Sequence, residues 1–223
     1  MTTEPNTGRR LRETILNQLR ASIIDGTYKP GDRIVERDVA AQFEVSRLPV
    51  REALRMLDSE GFVEMLPTRG VIVKKLARRD VLELFDVREA LESLAFRRAA
   101  ERATKKDLAR LIAMRNRAHR AIVAADDATL HELNEQFHDT VNELAGNTLL
   151  IGMIEPLAGR LHWIFRQNDD PAHVWREHED LLAAILDRDT DRAADLATAH
   201  VQVNRDRALT YLFGRAKKDS AAG

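Results

Sequence analysis

The chain has 223 residues, 44% of them apolar, enough to bury a real core but long for a single small domain, so one or two domains are expected. No apolar run approaches the roughly 18 residues of a membrane span and the opening MTTEPNTGRRLRE has no secretory apolar core, so the chain is expected in the cytoplasm with no membrane partner. With no cysteine there is no disulfide framework, thiolate nucleophile or Cys-based zinc site, and a net charge of -1 gives no sign of nucleic acid by itself.

Along the chain, Leu11, Ile15, Leu19 and Ile23 recur every four residues, which reads as a helix with one buried stripe closed by the turn residues Asp25-Gly26 and Lys29-Pro30-Gly31. Two short helical stretches follow, 36–43 and 47–60, joined by Glu44-Val45-Ser46, a link that allows only a tight corner. Ser46 is placed as the N-cap of the second, and Gly61 stops it. Residues 62–66 and 70–74 alternate as two strands around Pro67-Thr68-Arg69, a hairpin suited to a wing. On the second short helix Val50, Ala53, Leu54 and Leu57 share one face, whereas Arg47, Arg51 and Arg55 form a stripe roughly 110° away. Early positions of such a helix reach the groove floor, and Arg suits bidentate contact with guanine or phosphate, so Arg47 and Arg51 are base-reading candidates. The alternative is a solvated face on which these arginines pair with Glu44, Glu52 or Asp58. The charge split leans the same way only slightly: 13 Lys and Arg against 11 Asp and Glu in residues 1–75, then 22 against 25.

The pattern changes near 77–80. Beyond it, helical periods cover 81–102, 106–124, 128–145, 148–166, 171–186 and 191–213, with breaks at Thr104, Asp126-Asp127, Gly146-Asn147, Asp169-Asp170-Pro171 and 187–190. Pro156 is expected to kink the fourth of these helices. The expected fold is therefore mostly α: a winged helix-turn-helix with a small β wing (1–76), a linker (77–80), an antiparallel all-α bundle (81–215) and a disordered tail (216–223).

Most of the seven histidines are expected to be ordinary hydrogen-bonded or solvated side chains. Asn134 and His138, however, share a face at i, i+4, and His178 and His200 lie on later helices among apolar neighbours, so three imidazoles can converge in a bundle core. Other metal motifs fail: His131-Glu132 lacks the second His of a zincin helix, and Glu135-Gln136-Phe137-His138 is the only Glu-x-x-His where a di-iron bundle needs two.

The stretch ERDVAAQFEVSRLPVREALRMLDSEGFVEMLPTRGVIV resembles the DNA-binding domain of GntR-type regulators, through Pro30-Gly31, Val45-Ser46-Arg47, Pro49 to Leu54, Leu57, Glu60-Gly61 and Gly70. The resemblance implies DNA contacts from Arg37, Arg47 and Arg51, with Ser46 beside them, and a wing tip at Gly70 that enters the minor groove. Leu48 departs from the small hydroxyl residue usual there, and an apolar contact to a thymine methyl can replace the missing one. The segments NEQFHDTVNELAGN, EHEDLLAAILDRDTDRAA and ATAHV resemble the metal-binding form of the FCD ligand domain of the FadR subgroup. That implies a divalent metal such as Zn or Ni held by Asn134, His138, His178 and His200, with Asn134 where many relatives have Asp. It further implies a small carboxylate metabolite bound by Arg88, whose competing reading is an i, i+4 pair with Glu92. Asn204, one turn after His200, is left outside the site. The expected function is a homodimeric, non-enzymatic regulator of transcription, most simply a repressor, that binds a pseudo-palindromic operator and answers to the acid. The alternative is a metal-dependent hydrolase in the bundle, with the three histidines activating water.

Overall fold

The computed structural model describes residues 4–66, 70–165 and 171–214, in the element order α1 (Glu4–Ile24), β1 (Arg33–Ile34), α2 (Glu36–Gln42), α3 (Arg47–Ser59), β2 (Val63–Leu66), β3 (Gly70–Val73), α4 (Arg78–Arg102), α5 (Lys105–Ala124), α6 (Asp127–Ala145), α7 (Thr148–Phe165), α8 (Pro171–Leu186) and α9 (Thr190–Phe213). The chain forms two compact units: Met1–Ala77 with Pro156–Arg166, and Arg78–Glu155 with Gln167–Gly223.

In the first unit α1 lays Ile15, Leu19 and Ile23 against α3, whose Val50, Ala53, Leu54 and Leu57 are wholly buried. Burying a Leu or Ile side chain is worth about 1.5–3 kcal/mol, so this seam dominates the unit's cohesion. The corner between α2 and α3 turns at Glu44, which takes a left-handed φ of 55° in place of the usual glycine. Ser46 is the N-cap of α3 with extended φ and ψ, but its hydroxyl makes no capping bond, so the helix start gains nothing from that side chain. Gly61, at φ 79°, follows the C-cap Glu60 and ends the helix, while Arg20 of α1 clamps Glu60 with bonds of 2.9 and 2.7 Å. The sheet has the order β1-β3-β2, antiparallel throughout, with Val63 opposite Val73 and Leu66 opposite Gly70. The two-residue β1 is an addition to the expected hairpin. The expected turn 67–69 lies outside the described residues. Pro156–Arg166 closes this core from the far part of the sequence: Trp163 lies 5.8 Å from the Phe62 ring, and Gly159 packs so tightly on Phe62 that a Cβ there would come within 3.1 Å of it.

In the second unit α4 begins at Arg78, ahead of the period that opens at Val81, so most of the span read as linker is helical. Ser93 to Ala194, Arg97 to Asp191 and Gln202 to Glu89 contacts run in opposite directions along α4 and α9, which are therefore antiparallel. Their seam is small, with Ala95, Ala99, Ala193, Ala194 and Ala197 all buried, so the two backbones can approach closely. Phe96, Phe137 and Trp175 fill the centre. Helix ends follow local chemistry. Thr104 and Asp107 form a reciprocal capping box, Asp126 and Asp189 accept from the backbone amides of Thr129 and Arg192, and Ala125 and Gly146 close α5 and α6 in left-handed conformations. α7 continues through Pro156 as a helix. The expected tail 216–223 lies outside the described residues.

Candidate metal centre and nucleic-acid interface

His138 of α6, His178 of α8 and His200 of α9 meet inside the bundle. Their ring centroids are 4.9, 5.0 and 5.9 Å apart, and one nitrogen from each lies within 4.8 Å of the others. His178 is wholly buried, its ring stacked on Phe137 at 4.8 Å and edge-on to Trp175 at 5.8 Å. The pKa values of His178 and His200 are both pushed well below the ordinary imidazole value. Loss of water is the leading cause in each, followed by their neighbouring imidazoles and the Arg88 guanidinium. Both rings are thus neutral, the form that ligates a metal.

Among the described residues, both nitrogens of His178, Nδ1 of His200 and Oδ1 of Asn134 are buried without a hydrogen-bond partner. Such atoms are costly to bury unpaired, about 1–3 kcal/mol each, so the nitrogens of His178 and His200, side by side in the cluster, call for a guest. Asn134 precedes His138 by one turn on α6, as the i, i+4 spacing requires. Three imidazoles and an amide oxygen are the donor set of a borderline divalent ion, so the residues fit such a metal.

Two residues that the sequence reading left out also belong here. Asn204 sits 2.9 Å from Nε2 of His200, and Glu177 Oε2 lies 3.6 Å from its Nδ1, so polar groups flank both sides of that ring. Glu177 is in turn held by Arg207, which also reaches His173 at 2.7 Å. Arg88 is buried and pairs with Glu92 at 2.5 Å, which is the competing reading of that arginine. Its guanidinium also lies over the Phe85 ring, 5.6 Å from the centroid.

The expected DNA-contacting residues lie on the first unit's surface. Arg37 is exposed on α2 and bonds to Asp38 at 3.0 Å. Ser46 and Arg47 are exposed at the start of α3. Arg51, one turn on, is exposed and held to Glu36 of α2 at 2.9 Å, so the fold pairs it with none of Glu44, Glu52 or Asp58. Leu48, between Arg47 and Arg51 in the first turn of α3, is 64% exposed, a position for an apolar contact. Gly70 opens β3 at φ 77° with the Arg33 side chain against it, a cation the sequence reading had not placed near the wing.

A three-helix unit with a small antiparallel wing, its second short helix exposing arginines, defines a winged helix-turn-helix DNA-binding protein, and the helical unit behind it adds a buried polyimidazole site. The chain belongs to the GntR family of bacterial regulatory proteins: residues 11–73 match that family and residues 83–203 match the FCD domain. It is 30% identical to the HTH-type transcriptional regulator YdhC of Bacillus subtilis over 82% of this chain and 84% of that protein. It is 31% identical to the Nta operon transcriptional regulator of Aminobacter aminovorans over 84% and 89% of the two chains, and 29% identical to the transcriptional repressor RspR of Escherichia coli over 90% of each. The solved structure of E. coli McbR/YncC superposes with a TM-score of 0.72 at 25% identity, covering 90% of this chain and 98% of that one. The protein is a DNA-binding transcriptional regulator. These families and relatives are regulators and not enzymes, and the hydrolase alternative finds no support among them.

Proposed function

We propose that the protein is a homodimeric repressor of the FadR subgroup, acting in the cytoplasm, whose hold on a pseudo-palindromic operator is set by a small organic acid bound at a metal-containing site in the FCD domain. The observation that carries this is the convergence of three imidazoles inside the bundle, with both nitrogens of His178 and Nδ1 of His200 buried without a hydrogen-bond partner. Asn134, His138, His178 and His200 would hold a divalent ion, which supplies positive charge and an open coordination position for a carboxylate. Arg88, buried on α4, would supply a second anchor for the carboxylate. Arg47 and Arg51 read bases, Arg37 and Ser46 contact the DNA beside them, the Gly70 wing tip enters the minor groove, and each protomer of the dimer serves one half-site. A second copy is supported by the exposed apolar pair Leu149 and Met153, one turn apart on α7. The repressor role is supported by RspR, a similar protein named as one.

Acid and operator are then coupled reciprocally, with typical couplings of about 1–3 kcal/mol, or roughly 5- to 150-fold in affinity. The test is selection of bound sequences from a random duplex pool by the purified protein, repeated with chelator and with a panel of carboxylic acids, together with metal analysis of the protein. The expected result is a short inverted repeat whose enrichment falls when acid is added and whose response to acid disappears with chelator. Acid that tightens the complex overturns the repressor reading. A repeat indifferent to both additives overturns the sensing role. On the recovered operator, Arg51→Ala is expected to weaken binding by about 1–3 kcal/mol.

A further inference from the structure

The wing carries a cation that comes from neither the helix-turn-helix nor the β2-β3 hairpin. Arg33 lies on the edge strand β1 opposite Ile72 of β3, so it shares the outer face of the sheet with Ile72 and Gly70, while Ile34, Val71 and Val73 fill the buried face. Its side chain does not stay at its own pairing position. It reaches two residues along β3 to the wing tip, where a Cβ on Gly70 would meet the guanidinium, with Nη2 at 3.6 Å and Nε at 3.7 Å. Gly70, at φ 77° and without a side chain, leaves the backbone bare there, and the guanidinium lies directly against it. Acids stand close by, and Arg33 takes none of them. Asp32 accepts from the backbone amide of Lys29 at 2.8 Å, and Glu64, which shares the outer face from the other side of Ile72, forms no ion pair with it. Among the described residues the exposed Arg33 has no hydrogen bond or ion pair at all. Arg37 and Arg51 are held by Asp38 and Glu36 and must exchange a protein partner for DNA, whereas Arg33 exchanges only water.

A guanidinium resting on the backbone of a wing tip travels with it. Over A·T-rich sequence the minor groove narrows and its negative potential deepens, which draws an inserted arginine in. The floor of the groove there offers only acceptors, adenine N3 and thymine O2, to a side chain that has only donors. A G·C pair sets the guanine 2-amino group, itself a donor, in the same place. We propose that Arg33 is a specificity-determining DNA contact that enters the minor groove beside Gly70 and gives each half-site a preference for A·T pairs next to the bases read by α3. This rests on the reading above in which the Gly70 tip enters the minor groove, and it adds a sequence preference that a glycine without a side chain does not supply. A contact from Arg33 to a phosphate would instead raise affinity for every sequence alike.

The experiment uses the full-length protein and duplexes built on the inverted repeat recovered from the random pool, with A·T, G·C or inosine·cytosine placed in turn at the pairs beside those read in the major groove. Inosine lacks the guanine 2-amino group, so its pair with cytosine keeps the major-groove face of G·C and resembles A·T in the minor groove. At one of these positions the wild type is expected to bind the A·T and inosine duplexes alike and the G·C duplex about fivefold or more weakly. Arg33→Ala is expected to bring all of them within about twofold of one another, its largest loss falling on the A·T duplex. Arg33→Gln, which keeps most of the length and removes the charge, is expected to do the same and carries the test if the alanine variant does not fold. Equal binding of the duplexes by the wild type, or a ratio unchanged in the variants, overturns the proposal. Uniform weakening on every duplex makes Arg33 a phosphate contact, and inosine bound as poorly as guanine moves the readout to the major groove; either result overturns it as well. Recovery of no repeat by the wild type removes the operator reading and this proposal together, a failure distinct from a repeat that is bound without any minor-groove preference.

Discussion

Removing metal and lowering the pH sets two buried imidazoles against the stability of the bundle. His178 is wholly buried and His200 nearly so, and burial depresses the pKa of both from 6.5. In the unfolded chain both take up protons near that ordinary value, so as pH falls below about 6.5 the unfolded state binds protons that the folded state refuses. The depressed folded pKa therefore makes stability complete above 6.5 and progressively lost below it. The limiting slope is about 1.4 kcal/mol per pH unit for each ring, so the two together cost about 2.7 kcal/mol between pH 7.5 and 5.5. Trp175 is a natural reporter, being buried and edge-on to His178. In a Trp163→Phe background it is the only tryptophan. Urea unfolding of chelator-treated protein, followed by its fluorescence at pH 7.5, 6.5 and 5.5, gives the loss directly. Other groups contribute to the pH dependence as well, so the decisive comparison is with His178→Gln, in which about 1.4 kcal/mol of the loss should disappear. If the variant and the wild type lose stability in parallel, His178 accepts its proton within the folded bundle, and the account of a dry, ligand-ready cluster is wrong.

Replacing Asn134 with Asp puts a carboxylate where the orphaned amide oxygen lies and is expected to raise zinc affinity about tenfold, read by competition with a chromogenic chelator. The same change should weaken binding of any anionic guest, because the site loses one unit of positive charge. In the first unit, Trp163→Ala removes the ring that covers Phe62 and is expected to cost about 2 kcal/mol, seen as faster hydrogen exchange at the amides of α1 and α3.

What could be read without coordinates was whatever is encoded locally. The breaks at Thr104, Asp126 and Gly146 were legible because a capping side chain or a residue tolerant of left-handed backbone acts within a few positions of the end it closes. His138, His178 and His200 stood out because imidazoles among apolar neighbours are unusual on three separate helices. Pairings between distant segments left no such mark. The strand Arg33–Ile34 is too short to alternate and exists through its bonds to β3. Glu177 on α8 looks like a solvated residue until the fold brings it 3.6 Å from Nδ1 of His200. The last half of α7 is an apolar helix in any reading, and a helical period does not say which core it fills; contacts such as those of Gly159 and Trp163 with Phe62 assign Pro156–Arg166 to the DNA-binding unit.

The charges around the histidine cluster can be weighed together. A divalent ion on three neutral imidazoles and the Asn134 amide keeps its full charge of about +2, while Arg88 and Glu92 cancel each other. With Asp at position 134 the same site would stand near +1 and a single carboxylate would neutralise it. With Asn one carboxylate leaves an excess, so the site favours a guest that is more strongly anionic, or one that binds through several oxygens at once. Asn134→Asp should therefore narrow the preference for dicarboxylic over monocarboxylic acids, read by calorimetry on the zinc-loaded protein as the ratio of succinate to acetate affinity, and an unchanged ratio would refute the charge argument.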